Sequence, residues 1–186
     1  KVGALQLIPS VVEGMHRELD KRSGYTEERT LTSIYFGGGT PSLLHPTEIE
    51  QFICHAEKLF DISNVEEITI EANPDDITEE YAKALTQTRV NRVSLGIQSF
   101  DDEVLRVMNR RHDAAAAVRA VEAARAVGFD NITLDLIYGL PFGAKDALAR
   151  SLEQTVALDV EHVSAYHLTI EPNTRFGRMA ARGELA

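Results

Sequence analysis

Short β-prone runs alternate with longer runs in which apolar residues recur at helical spacing. The β-prone runs are residues 31–36, 67–71, 92–97, 131–137 and 162–170. Each stops at a turn-forming or polar segment. These are Gly37-Gly38-Gly39, Ala72-Asn73-Pro74, Gln98-Ser99-Phe100, Tyr138-Gly139-Leu140-Pro141 and Glu171-Pro172. Between the first two, Ile49, Phe52, Ile53, Ala56, Leu59 and Phe60 predict a helix over 47–60 with Thr47 as its cap. Thr78 predicts a second helix to about residue 87, although Tyr81 stands where a capping box wants a carboxylate or amide. Asp101 opens a short helix to 109, and Asp113 opens a longer one that Gly128 ends. A further helix is expected over 145–158, and one over 5–22 precedes the first strand.

Strict alternation of strand and helix predicts a parallel sheet with right-handed crossovers. Few of the strands read as polar at every second position, so they are expected to be buried on both faces. The pattern fits a β/α barrel, a partial barrel or an open doubly wound sheet. A chain that opens on a helix suggests that a strand precedes it. The 186 residues suit one domain, and no linker or low-complexity tract divides them. The alanine-rich stretch 114–126 is good helix sequence.

Composition narrows the class. Hydrophobic residues make 44% and charged residues 26% of the chain, an ordinary globular balance. No apolar run approaches the ~18 residues of a membrane span, and residues 1–10 do not resemble a signal peptide. The formal net charge of −10 argues against a nucleic-acid binder, and the only adjacent basic pairs are Lys21-Arg22 and Arg110-Arg111. One cysteine, Cys54, excludes an internal disulfide and a cysteine-only metal site, and a cytoplasmic location is expected. Cys54 lies mid-helix and is expected to be a quiet, buried or half-buried thiol. Of six histidines, none in a zinc-ligand spacing, only His167 near a strand end draws attention; the rest are expected at the surface or at helix ends.

In parallel β/α folds the chemistry sits beyond the carboxyl ends of the strands. Those ends carry Gly37-Gly38-Gly39-Thr40, Glu71 with Asn73, Gln98 with Ser99, Asp135 with Tyr138, and Tyr166 with His167. Three glycines directly after a strand let a backbone approach a ligand. The segment is neither a phosphate loop nor a dinucleotide fingerprint, since both spacings fail. Glu71 suits a ligand ammonium group, and Gln98 could read hydroxyls. Asp135, inside an apolar run, needs a partner, which a ligand hydroxyl or Arg110 could supply.

Six ordered motifs carry a resemblance: Y-F-G-G-G-T-P-S-L-L, E-I-T-I-E-A-N-P, R-V-S-L-G-I-Q-S-F, N-R-R-H, D-L-I-Y-G-L-P and H-L-T-I-E-P-N-T. Together, over residues 33–177, they resemble radical S-adenosylmethionine (SAM) proteins related to oxygen-independent coproporphyrinogen III oxidase. The resemblance implies an incomplete TIM-type (β/α) barrel. It implies that Gly38, Gly39 and Thr40 hold the methionine end of SAM and that Glu71 contacts the same molecule. It places Gln98, Arg110 and Asp135 along the SAM site or a second one, and His167 near a further contact.

The same resemblance implies a [4Fe–4S] cluster held by C-x-x-x-C-x-x-C after the family's first strand. That strand and loop would precede Lys1, so the chain reads as a fragment of a longer protein, with a C-terminal extension beyond Ala186. Without the cluster it is expected to be inactive alone. P-S-L-L, G-I-Q-S-F and T-I-E-P-N-T resemble the haem chaperone branch more than the oxidase. That branch implies haem as ligand and haem-acceptor proteins as partners. The alternative is the oxidase itself, an oxidoreductase of porphyrin biosynthesis acting on a porphyrinogen. An unrelated β/α-barrel enzyme with a polar rim is the third reading.

Overall fold

The structure, a computed structural model, describes residues 6–143 and 145–185. The order is α1 (Ile8–Arg22), β1 (Ser33–Phe36), α2 (Pro46–Leu59), β2 (Glu67–Ala72), α3 (Glu79–Leu85), β3 (Arg92–Gln98), α4 (Asp102–Val107), α5 (Ala114–Ala126), β4 (Ile132–Tyr138), α6 (Ala147–Ala157), β5 (His162–His167) and α7 (Arg175–Ala181). The five strands are all parallel and lie side by side in chain order. All five expected strands form, shifted by one to three residues at their ends. Leu5, the expected start of α1, lies outside the described residues.

The central strands β2, β3 and β4 are buried on both faces near their middles, as expected, but side-chain character alternates along them, and one of the two faces is polar. Ile68, Ile70, Val93, Leu95, Ile97, Ile132 and Leu134 join Ile49 and Ile53 of α2, Leu85 of α3 and Val121 of α5 in one core. Most of these side chains have no exposed surface at all. Burying each stabilises the fold by roughly 1.5–3 kcal/mol. The intervening residues, Tyr35, Thr69, Glu71, Arg92, Ser94, Thr133, Asp135 and Ser164, fall on the other face by the period of two. That face is polar and hydrogen-bonded rather than apolar. The outer strands differ again: β5 is exposed along most of its length.

Local signals explain the helix boundaries. α2 begins at Pro46 rather than after Thr47, because His45 is the cap. Its Nδ1 accepts from the Thr47 amide at 3.3 Å, and Glu48 accepts from the His45 amide at 2.9 Å. Thr78, Asp101 and Asp113 cap α3, α4 and α5 as expected, each accepting from a backbone amide. Gly128, at φ 101°, follows the end of α5. α7, capped by Thr174, was not expected from the sequence. α1 buries no residue fully and is held to α2 by His16, which stacks on Phe52 at 3.9 Å.

Candidate functional site

The polar face is built in layers. At the amino ends of the strands Arg92 donates to Glu67 at 2.7 Å and to the Thr133 hydroxyl at 2.6 and 2.9 Å. Thr69 donates to Glu67 at 2.9 Å. This network closes the floor. Above it Ser94 donates to Asp135 at 3.2 Å. Burial pushes the Asp135 carboxyl above its usual range, against the pull of the Ser94 and Ser164 hydroxyls; the nearby Glu71 charge adds to the rise. Among the described residues no buried side-chain polar atom lacks a partner.

A cavity of about 300 Å³ opens at the carboxyl ends. Gly39, Thr40, Glu71, Asn73, Gln98, Arg110, Asp135 and Tyr166 are among its lining residues. Six of the eight residues singled out in the sequence therefore share one wall: Gly39, Thr40, Glu71, Gln98, Arg110 and Asp135. Gly38 does not line the cavity, but its amide donates to Glu71 at 3.2 Å. His167 is not brought in. Its ring lies edge-on to Tyr138 at 5.3 Å and covers Gly139, whose absent side chain would meet it at 2.5 Å. Tyr166, one position earlier and on the polar face, takes the place in the cavity.

The three glycines have separate tasks. A side chain at Gly37 would meet Tyr35 at 2.6 Å and Glu71 at 2.9 Å, so Gly37 lets that carboxylate come close. Gly38 has φ 102°, a left-handed turn. Gly39 has open space where its side chain would be, so its backbone is free to meet a ligand. Tyr35 donates to Glu71 at 2.9 Å, and its hydroxyl is pushed up to about 12 by burial and by that carboxylate.

Arg110 does not pair with Asp135. Its Nη2 donates to Asn73 Oδ1 at 2.9 Å and to the Gly96 carbonyl at 2.7 Å. Burial lowers its pKa, the largest effect on it, while Asp75 opposes the change. Two acids and one held guanidinium thus face one small space. Such a set can take a ligand carrying an ammonium, a carboxylate and hydroxyls.

The remaining polar residues correct other expectations. His112 stands at a helix end, as expected, but is buried there. Its place after Arg110-Arg111 and directly before the Asp113 cap of α5 gave no apolar pattern that would have revealed its burial. Cys54 is exposed, with Arg89 Nη2 at 3.2 Å from its sulfur. A larger groove of about 690 Å³ lies on the helix layer, lined by His16, Glu50, Cys54 and His55 among others. Among the described residues no three His, Cys, Asp or Glu side chains are placed to hold a metal ion. With a single cysteine, the chain does not fit an iron–sulfur cluster by itself. Among the described residues no helix is long and apolar enough to cross a membrane.

The sequence profile of the radical SAM superfamily matches residues 15–154. The chain is 38% identical over 159 residues to the heme chaperone HemW of Lactococcus lactis subsp. lactis (strain IL1403), covering 86% of this chain and 42% of that protein. It is 34% identical over 181 residues to heme chaperone HemW of Bacillus subtilis (strain 168), covering 97% and 48%. The solved structure of coproporphyrinogen III oxidase (HemN) from Escherichia coli, a radical SAM enzyme, matches with a TM-score of 0.81 and 27% identity. That match covers 94% of this chain and 40% of the oxidase. The chain thus spans less than half the length of these relatives. Its five parallel strands and their helices match the partial TIM barrel of that oxidase.

Proposed function

The chain belongs to the radical SAM superfamily, and from that premise we propose that it is the SAM-holding core of a haem chaperone. The observation that carries the reading is the identity to two heme chaperones, which runs through nearly the whole chain. Superfamily membership implies SAM and a [4Fe–4S] cluster. When a cluster reduces SAM, the pair supplies radical chemistry. The three thiolates for such a cluster come, on this reading, from outside these 186 residues.

The chemistry of the cavity supports SAM as its ligand. Gly38, Gly39 and Thr40 receive the methionine end, and Glu71 accepts from its ammonium group. Arg110 offers a guanidinium to the carboxylate. Gln98 and Asp135 are placed for ribose hydroxyls, which both donate and accept and so suit an amide and a half-buried acid. His167 serves a contact outside this cavity. Haem, acceptor proteins and a cytoplasmic location complete the proposal.

The structural likeness to the oxidase favours one second reading, oxygen-independent conversion of coproporphyrinogen III. Both readings share the barrel and the SAM cavity, so the ligand presented to the rim must decide. An oxidase must bring a propionate into near-contact with the reacting carbon. A chaperone needs a haem site that can be emptied. In the full-length, anaerobically reconstituted protein we expect a Soret band that survives gel filtration. No coproporphyrinogen III should be consumed with SAM and reductant. Formation of protoporphyrinogen IX would overturn the chaperone reading in favour of the oxidase.

A further inference from the structure

Gln98 has a left-handed backbone, φ 73°. Among the described residues Asn109 and Asp159 are the other non-glycine residues with positive φ. Asn and Asp enter that region readily, whereas Gln has no such tolerance. The strand carries an extra residue just before it. Leu95 pairs with Leu134, but Gln98 pairs with Leu136, so three steps on β3 match two on β4. A bulge ending in a strained residue beside a cavity persists only where its surroundings hold it.

Three side chains do so here. Arg110 Nη2 donates to the Gly96 carbonyl at 2.7 Å. His112 lies 3.0 Å from the Ile97 carbonyl through Nε2. Ser151 of α6 accepts from the Phe100 amide at 3.0 Å and meets the Ser99 hydroxyl at 3.4 Å. The backbone on both sides of Gln98 is thereby pinned. A carbonyl only accepts, so Nε2 of His112 carries the proton and donates. His112 is 4% exposed and does not line the cavity.

The result of the turn is visible at Gly96. A side chain there would lie 3.0 Å from Gln98 Nε2 and 3.5 Å from Arg110 Nη2. The Gln98 amide and the Arg110 guanidinium therefore lie together over a bare glycine in the cavity wall. We propose that His112 is a positioning residue of the SAM cavity: by holding the Ile97 carbonyl it maintains the left-handed turn that brings the Gln98 amide beside Arg110. The role rests on the SAM reading above, and it adds a buried residue that never meets the ligand.

The test uses the full-length protein with its cluster reconstituted. SAM affinity is measured by equilibrium dialysis, and amide exchange at Gln98 and Ser99 by hydrogen–deuterium exchange. His112→Leu keeps the bulk without the donor and should weaken SAM about tenfold, as expected for one hydrogen bond of ordinary strength, with faster exchange at both amides. His112→Gln can donate to the same carbonyl and should restore both measurements to near those of the unsubstituted protein. Gln98→Ala should weaken SAM alone, and adding His112→Leu to it should weaken SAM no further, because both act through one amide. Additive losses would overturn the role, as would a His112→Leu protein unchanged in exchange and affinity, or a His112→Gln protein as impaired as His112→Leu. If Glu71→Ala weakens SAM and His112→Leu does not, this role falls alone. If the unsubstituted protein binds no SAM, the SAM reading falls and takes the role with it.

Discussion

The two faces of the sheet are made by the same strands and share no chemistry. On the helix-covered face Ile70, Leu95, Ile132 and Leu134 are wholly buried. On the concave face Thr69, Ser94 and Thr133 are nearly as buried, yet all three are polar and hydrogen-bonded. Depth alone therefore does not set residue type here. The covered face holds the sheet and helices together by area removed from water, which is tolerant of detail. The concave face is a network in which each group fixes the next, so it holds positions rather than bulk. The difference assigns stability to one side and ligand geometry to the other.

Substitutions on each side can break that division. Leu134→Ala empties a fully buried site and should cost about 2–5 kcal/mol in urea unfolding, with SAM affinity unchanged while the protein remains folded. An equal loss of SAM affinity would show that the two faces are coupled. Glu71→Ala or Arg110→Ala should do the reverse: SAM affinity falls tenfold to hundredfold, roughly 1.5–3 kcal/mol for a charged contact. The urea midpoint of Glu71→Ala should barely move. Arg92→Met tests the floor. It strips Glu67 and Thr133 of a donor and should cost about 1.5 kcal/mol, the low end for a charged hydrogen bond because Arg92 and Glu67 are themselves partly exposed. Adding Glu67→Gln should recover part of that loss.

The smallest effect is expected from Asp135→Asn, and it depends on pH. Burial raises the Asp135 pKa in the folded protein. Whatever stability the carboxyl contributes is therefore complete below its usual range and declines as pH rises through the raised value. Relative to the parent, the Asn variant should gain thermal stability at neutral pH. The gain should vanish near pH 4, about where a free Asp titrates. A variant less stable than its parent at neutral pH would show that the Ser94 and Ser164 hydroxyls outweigh burial.

The strands were legible because Ile, Val and Leu cluster in short runs between turn residues. Their two-faced character was legible too, in E-I-T-I-E-A and R-V-S-L-G-I-Q, but buried Thr and Ser read as tolerated core rather than as a polar lining. The caps Thr78, Asp101 and Asp113 followed from side-chain chemistry; His45 did not, since an imidazole is not among the usual capping groups. α7 escaped notice because R-F-G-R-M-A-A is short and places a glycine mid-helix. Most of the cavity wall followed from the rule that ligands sit beyond strand ends. What failed was finer than that rule. Tyr166 and His167 differ by one position and so face opposite sides of β5. Nothing in Q-S-F announces a left-handed Gln98, since the hold on it comes from Arg110, His112 and Ser151, all distant in sequence.

The side-by-side order of β1 to β5 also sets a timetable. No strand waits for a partner made more than one step later, so pairing stays short in range and suits assembly as the chain is synthesised. The main core runs from Ile49 to Leu134. It can close before β5 leaves the ribosome. Once β4 has emerged, Glu71, Gln98, Arg110 and Asp135 are all available to line the cavity, and β5 then adds Tyr166.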